Sequence, residues 1–196
     1  MIAWAGLFFC CLAVAGLLSY TVSAGPSQAD VPRPKTDNGK WRIAYCESES
    51  FSTYTRTLTA IVKGLEETGW IRDLEGFDQI AATGDSKVIW EWLASHEVSP
   101  YLQFVGDAFY NLREPGRGRE EIPERLRARK DIDAMLVMGG AAGALLSNSQ
   151  HDTNIFVFAA SNAVRSGIIT SAEDSGKDNV WAHMDEQRFE RQIRAF

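Results

Sequence analysis

Apolar and polar positions along the chain fall into two kinds of block. Short continuous apolar runs cover residues 41–46, 101–105, 134–138 and 155–159. Runs of this length without alternation predict strands covered on both faces. Between them lie stretches with helical spacing. Over residues 51–68, Tyr54, Leu58, Ile61, Val62 and Leu65 share one face, Ser50 stands as an N-cap, and Gly69 ends the run. Asp85 caps a second helix reaching Ser95, with Val88, Ile89, Trp92 and Leu93 as its buried side. A charged helix over 120–130 carries Ile122 and Leu126 four apart, with Pro123 in its first turn, where proline is tolerated. Gly139 to Gly143 turns the third strand into a short helix ending near Ser149. From Glu186 a last helix places Phe189, Ile193 and Phe196 on one face, with Asp185 as its cap. Residues 70–83 read as a connection, 107–118 as a loop and 160–182 as irregular chain.

Strands alternating with helices predict an α/β fold, a Rossmann-like parallel sheet flanked by helices. Ligands of such sheets sit beyond the carboxyl ends of the strands. The informative loops are therefore 47–50, 106–111, 139–143 and 160–163.

The first two dozen residues have a different character. Residues 2–18 are nearly all apolar, Ser19-Tyr20-Thr21 raises the polarity, and Val22-Ser23-Ala24 offers small residues for a signal peptidase. This order predicts a cleaved secretory signal peptide over 1–24 and a periplasmic location. An uncleaved anchor is the alternative, although the run is shorter than the roughly 20 residues that span a bilayer. Cys10 and Cys11 lie within it and lack the preceding small residue that lipoprotein processing needs. Residues 25–40, rich in Pro, Ser, Asp and Lys, read as a flexible leader. The ligand-binding lobe is expected over 41–182. Residues 183–196 are expected to form a hinge and the first helix of a truncated second lobe, because the last apolar face finds no partner in the sequence.

Composition narrows the chemistry. Past the leader the one thiol is Cys46, so no disulfide scaffold is possible within that part. The net charge is −6, and the basic residues from Arg113 to Lys130 are interleaved with Glu114, Glu120, Glu121 and Glu124. That pattern predicts a solvated helix and no nucleic-acid surface. His96, His151 and His183 are too scattered to share a metal, and His96 and His151 read as exposed loop residues. Cys46 reads as a buried thiol at a strand end, and no base stands near it. We therefore expect no catalytic residue, no metal and no cofactor. Glu47 and Glu49 flank a turn and read as solvated, with Glu47 also a candidate ligand contact. The Gly139–Gly143 stretch lacks the lysine of a P-loop and the spacing of a dinucleotide turn, but its small residues allow a close backbone approach. Ser161 and Asn162 offer short polar groups beyond the fourth strand, and Phe109 and Tyr110 follow the second. The candidate ligand contacts are Glu47, Ser48, Tyr54, Phe109, Gly139, Gly140, Ala141, Ser161 and Asn162.

Several segments together resemble a known family. Trp41-Arg42-Ile43-Ala44-Tyr45 followed by a helix ending Gly64-Leu65-Glu66-Glu67-Thr68-Gly69-Trp70 is similar to the opening of the substrate-binding proteins of ABC transporters. The likeness is to members with the type I periplasmic fold, a group that includes tryptophan- and tyrosine-type binding proteins. It continues through Asp131 to Asp133, Met135 to Gly139, the run Ile155 to Val164, Ser166-Gly167-Ile168-Ile169, and finally Glu190 to Arg194. The resemblance implies the N-terminal lobe of a two-lobe protein that closes on a small solute, an amino acid in many members, and delivers it to an ABC permease. Two departures bear on the site: Gly140 stands where the family has a hydroxyl residue, and Asn162-Ala163 where it has Asp-Pro. The long stretch 71–100 suggests that the helix from Asp85 to Ser95 is an insertion or a lid. A ligand-sensing domain of a membrane receptor is the alternative function, and an exported hydrolase built on Cys46 is the third.

Overall fold

Alternate residues of each strand face opposite sides of the sheet, and the resulting two faces organise this molecule. The computed structural model describes residues 31–36, 39–114 and 119–183. The expected signal peptide, half of the leader, and the terminal helix with Asp185, Phe189, Ile193 and Phe196 lie outside the described residues.

The chain order is β1 (Trp41–Glu47), α1 (Ser52–Glu67), α2 (Phe77–Ala81), α3 (Ser86–Ser95), β2 (Leu102–Asn111), α4 (Glu121–Ala128), β3 (Ala134–Met138), α5 (Gly140–Leu146), β4 (Asn154–Phe158) and β5 (Val180–Ala182). The five strands form an all-parallel sheet in the order β2-β1-β3-β4-β5. The fold is α/β and Rossmann-like. Ala44 and Cys46 of β1 and Met135 and Val137 of β3 join Ile122 and Leu126 of α4 and Ala142 and Leu146 of α5 in one core. Tyr45, Leu136 and Met138 point the other way, into a core with Leu58 and Val62 of α1, Phe77 of α2, and Ile89, Trp90 and Leu93 of α3. This is the helix placement that right-handed crossovers impose when the chain first steps from β1 to β2 and then returns past β1 to β3. Toward β5 the second face is less covered. Phe156 and Phe158 are half-buried, and Trp181 is exposed, its ring stacked on Phe156 at 5.2 Å.

Several expectations need correction. β2 continues through residues 107–111, which read as loop. Two residues along β1 (Ile43 to Tyr45) correspond to five along β2 (Phe104 to Phe109), so β2 carries a bulge around Gly106. The carbonyls released there find side-chain donors: Trp90 Nε1–H donates to Val105 O at 3.0 Å, and Arg125 donates to Asp107 O at 3.1 Å. Arg125 is accordingly buried, and the charged helix is not wholly solvated. It also donates to the Tyr110 hydroxyl at 2.9 Å and pairs with Asp107 at 3.0 Å and Asp131 at 2.9 Å.

α2 stands within the expected connection, and β5 within the expected irregular stretch. On α3, Trp90 is fully buried whereas Val88 is exposed. This helix belongs to the core beneath β2, which is no place for a lid. Asp85 does cap it, accepting from the Lys87 and Val88 amides. Ser50 does not cap α1; Phe51 occupies that position without a side-chain bond. His151 is buried and donates from Nε2 to Leu146 O at 3.0 Å, while His96 is exposed and stacks on Trp92 at 4.4 Å. Near the start of the described chain, Lys35 and Arg42 both pair with Asp133 at 2.8 Å.

Candidate ligand-binding site

In an open parallel sheet two loops diverge where the strand order reverses, leaving a crevice beyond the carboxyl ends. Here the reversal falls between β1, whose chain leaves toward β2, and β3, whose chain leaves toward β4. Glu47 pairs in register with Met138 across this point, so the loop beginning at Ser48 and the turn at Gly139 meet there.

Ser48 joins the two. Its amide donates to Met138 O at 3.0 Å, its hydroxyl donates to the same carbonyl at 3.1 Å, and its Oγ accepts the Ala142 amide at 3.0 Å. Gly139 adopts φ +89° and ψ 164°, a region essentially closed to other residues. A Cβ there would overlap the Tyr54 hydroxyl and lie 2.8 Å from Ser48 Oγ. The Tyr54 hydroxyl is thus laid directly over the glycine backbone. Burial raises its pKa, with Glu49 adding to the shift. Gly140 faces the loop after β4: a Cβ there would meet Ser166 Oγ at 3.7 Å. The hydroxyls of Ser48, Tyr54 and Ser166 therefore surround the Gly139–Gly140 turn from three separate elements.

The other expected contacts are placed as follows. Ala141 is exposed in the first turn of α5. Ser161 and Asn162 are exposed beyond β4, and Asn162 Oδ1 accepts the Arg165 amide at 2.7 Å, folding its own turn. Phe109 belongs to β2, half-buried, its ring stacked on Tyr45 at 5.3 Å. It contributes to the core on the α1 side. Glu47 is not solvated. It is 1% exposed, its Oε2 accepts from the Tyr45 hydroxyl at 2.9 Å, and its Oε1 accepts from Asn111 Nδ2 at 2.8 Å. Ser50 donates to the same oxygen at 3.5 Å and accepts from Asn111 Nδ2 at 2.9 Å. Burial holds the Glu47 carboxyl above the ordinary carboxylate value, against the pull of these hydrogen bonds. Cys46, fully buried, has its thiol pushed up by burial and by Glu47.

Three residues at this edge escaped the sequence reading as site residues. Asn111 was hidden because the strand that carries it reads as loop. Ser166 bears no local signal, since only the crossing of two loops brings it to Gly140. Phe51, 54% exposed beside Tyr54, reads simply as a helix start, but in the fold it sets an aromatic ring at the carboxyl edge.

A groove of about 490 Å³ opens at the opposite, amino-terminal edge, between Trp41, Lys130, Asp133, His151, Asp152 and Asn154. Its charges are paired among themselves, Lys130 with Asp152 at 3.6 Å and Asp133 with Arg42 and Lys35. His151 Nδ1 in its lining is buried without a hydrogen-bond partner, but the strand reversal leaves its crevice at the other end of the sheet, and the carboxyl edge therefore carries the site. Among the described residues no cluster of three His, Cys, Asp or Glu could hold a metal ion, and no helix is long and apolar enough to cross a membrane.

Comparisons with family models, with curated proteins and with solved structures gave no match for this chain.

Proposed function

We propose that the chain is the N-terminal lobe of an extracytoplasmic solute-binding protein of the ABC-import type, with no chemistry of its own. The observation that carries this reading is the meeting of Ser48, Tyr54 and the Gly139–Gly140 turn at the reversal point of the strand order. Hydroxyls and a bare backbone suit reversible hydrogen bonding to a small polar solute. The thiol of Cys46 is fully buried and held protonated by that burial and by Glu47, which argues against its use as a nucleophile. Phe51 and Val164, both exposed at this edge, suit contact with a ligand or a second lobe closing on it. The apolar start of the chain supports export to the periplasm, and the sequence resemblance supports a permease as partner and an amino acid as solute.

The test is thermal unfolding of the protein in the presence of amino acids, sugars, carboxylates and small amines. Saturable stabilisation by one class, which grows as RT ln(1 + [L]/Kd), is the expected result. A flat response across all classes would overturn the proposal.

A further inference from the structure

The carboxyl group of Glu47 lies at the joint between two edge loops, yet it faces no solvent. One oxygen meets the Tyr45 hydroxyl on its own strand, and the other meets Asn111 at the end of β2 and Ser50 in the loop before α1. Asn111 closes the ring by donating to Ser50 and by accepting the Arg113 amide at 2.9 Å. The carboxyl thus fastens the β1–α1 loop to the exit of β2, and Ser48 of that loop in turn holds the Gly139 turn.

A buried carboxylate ordinarily has a cationic partner. Among the described residues Glu47 has none. Around it stand Tyr45 and Cys46 on β1, Glu49 in the loop and Tyr54 on α1, none of them cationic. Asn111 of β2, Met138 of β3 and Ser86 of α3 bring no charge. Arg113, beyond β2, approaches Glu49 at 3.8 Å. The hydrogen-bond pattern fits a neutral acid without rearrangement: Oε2–H donates to the Tyr45 oxygen, and Oε1 accepts from Asn111 and Ser50. Hydroxyl hydrogens can turn either way, but the Asn111 amide can only donate from Nδ2.

We propose that Glu47 is a proton-dependent latch, a positioning residue that holds the two carboxyl-edge loops together as a neutral acid and loosens them when it ionises. The burial that raises its pKa above the ordinary carboxylate value has a defined linkage sign. The latched form is fully present below that ordinary value, about pH 4.3. It is lost as pH rises from there through the folded-state value, by up to about tenfold in the latched-to-open ratio for each pH unit within that interval. The device does not depend on the solute-binding reading, since it concerns the loops themselves.

Glu47→Gln keeps the shape, lets the amide donate to Tyr45 and accept from Asn111, and cannot ionise. Amide hydrogen exchange of residues 48–51 and 111–114 is followed from acid to alkaline pH in wild type and in this variant. Wild-type exchange is expected to accelerate relative to the variant as pH rises, with the ratio constant for core amides of β3. The infrared carboxyl C=O band of unmodified protein supplies a second reading that needs no variant to fold: a protonated buried acid is expected to persist above the ordinary carboxylate value, where an exposed glutamate has already ionised. Parallel exchange profiles in the two proteins, or loss of all protonated-acid signal at the ordinary carboxylate value, would overturn the proposal.

Discussion

Gly139 is the residue on which the site geometry rests most directly. Its backbone conformation costs an L-residue about 1–3 kcal/mol, and the Tyr54 hydroxyl and Ser48 Oγ occupy the space a methyl group would need. Gly139→Ala is expected to lower unfolding stability by at least that range in urea titration. Adding Tyr54→Phe should recover only part of the loss, because Ser48 and the backbone conformation remain. Cys46 gives a second residue-scale expectation. Fully buried, with its thiol held protonated by burial and by Glu47, it should resist alkylation in the native protein and react after denaturation, as read by peptide mapping. Arg125 gives a third. Its removal strands the Asp107 carbonyl and the Tyr110 hydroxyl, so Arg125→Met is expected to cost about 2–3 kcal/mol. Arg125→Lys should recover less than half, since an ammonium cannot reproduce the guanidinium fork.

Among the elements, those legible from sequence are the ones whose information is local. β1, β3 and β4 read directly because each is a continuous apolar run sandwiched between helices. α1 reads because Leu58 and Val62 repeat at helical spacing. β2 was read only to its midpoint, because Gly106-Asp107 marks a break by every local rule. The continuation to Asn111 exists because Trp90 and Arg125, fifteen and eighteen residues from their acceptors, satisfy the carbonyls that the bulge releases. β5 and α2 are too short to leave a periodic trace. The same limit explains the buried polar residues. Glu47 and Arg125 look like surface groups until Asn111, Asp107 and Tyr110 are in place, and His151 until the turn after α5 brings it back to Leu146 O. Of the candidate site, the loops and the glycine turn were legible, whereas Asn111 and Ser166 were not. The ion pairs at the amino-terminal edge carry their own expectation. Arg42 and Lys35 hold the Asp133 carboxyl well below its usual range, against its burial. Its stabilising contribution is therefore complete above the unfolded value, about 3.9, and is lost as pH falls below it. The acid limb of the thermal-midpoint curve should be shallower in Asp133→Asn than in wild type.

For the molecule as a whole, the two edges of the sheet have different chemistry. The amino-terminal edge is tied by ion pairs among Lys35, Arg42, Lys130, Asp133 and Asp152. The carboxyl edge has neutral hydroxyls, an uncovered aromatic ring at Phe51, and a buried acid that holds its loops together. This division follows from topology: the strand order reverses between β1 and β3, and only at the carboxyl ends do the connecting loops part. The proposed role in solute binding places the ligand at that edge. The most direct measurement is calorimetric titration of the solute that stabilises the protein, into wild type, Ser48→Ala, Tyr54→Phe and, from the opposite groove, Lys130→Ala. Loss of one hydrogen bond at the site is expected to weaken binding about tenfold in Tyr54→Phe, and Ser48→Ala, which releases the Gly139 turn from the loop after β1, is expected to weaken it as well, while Lys130→Ala binds as wild type does. Affinity that falls with Lys130→Ala and is unchanged in the other two variants would contradict the account.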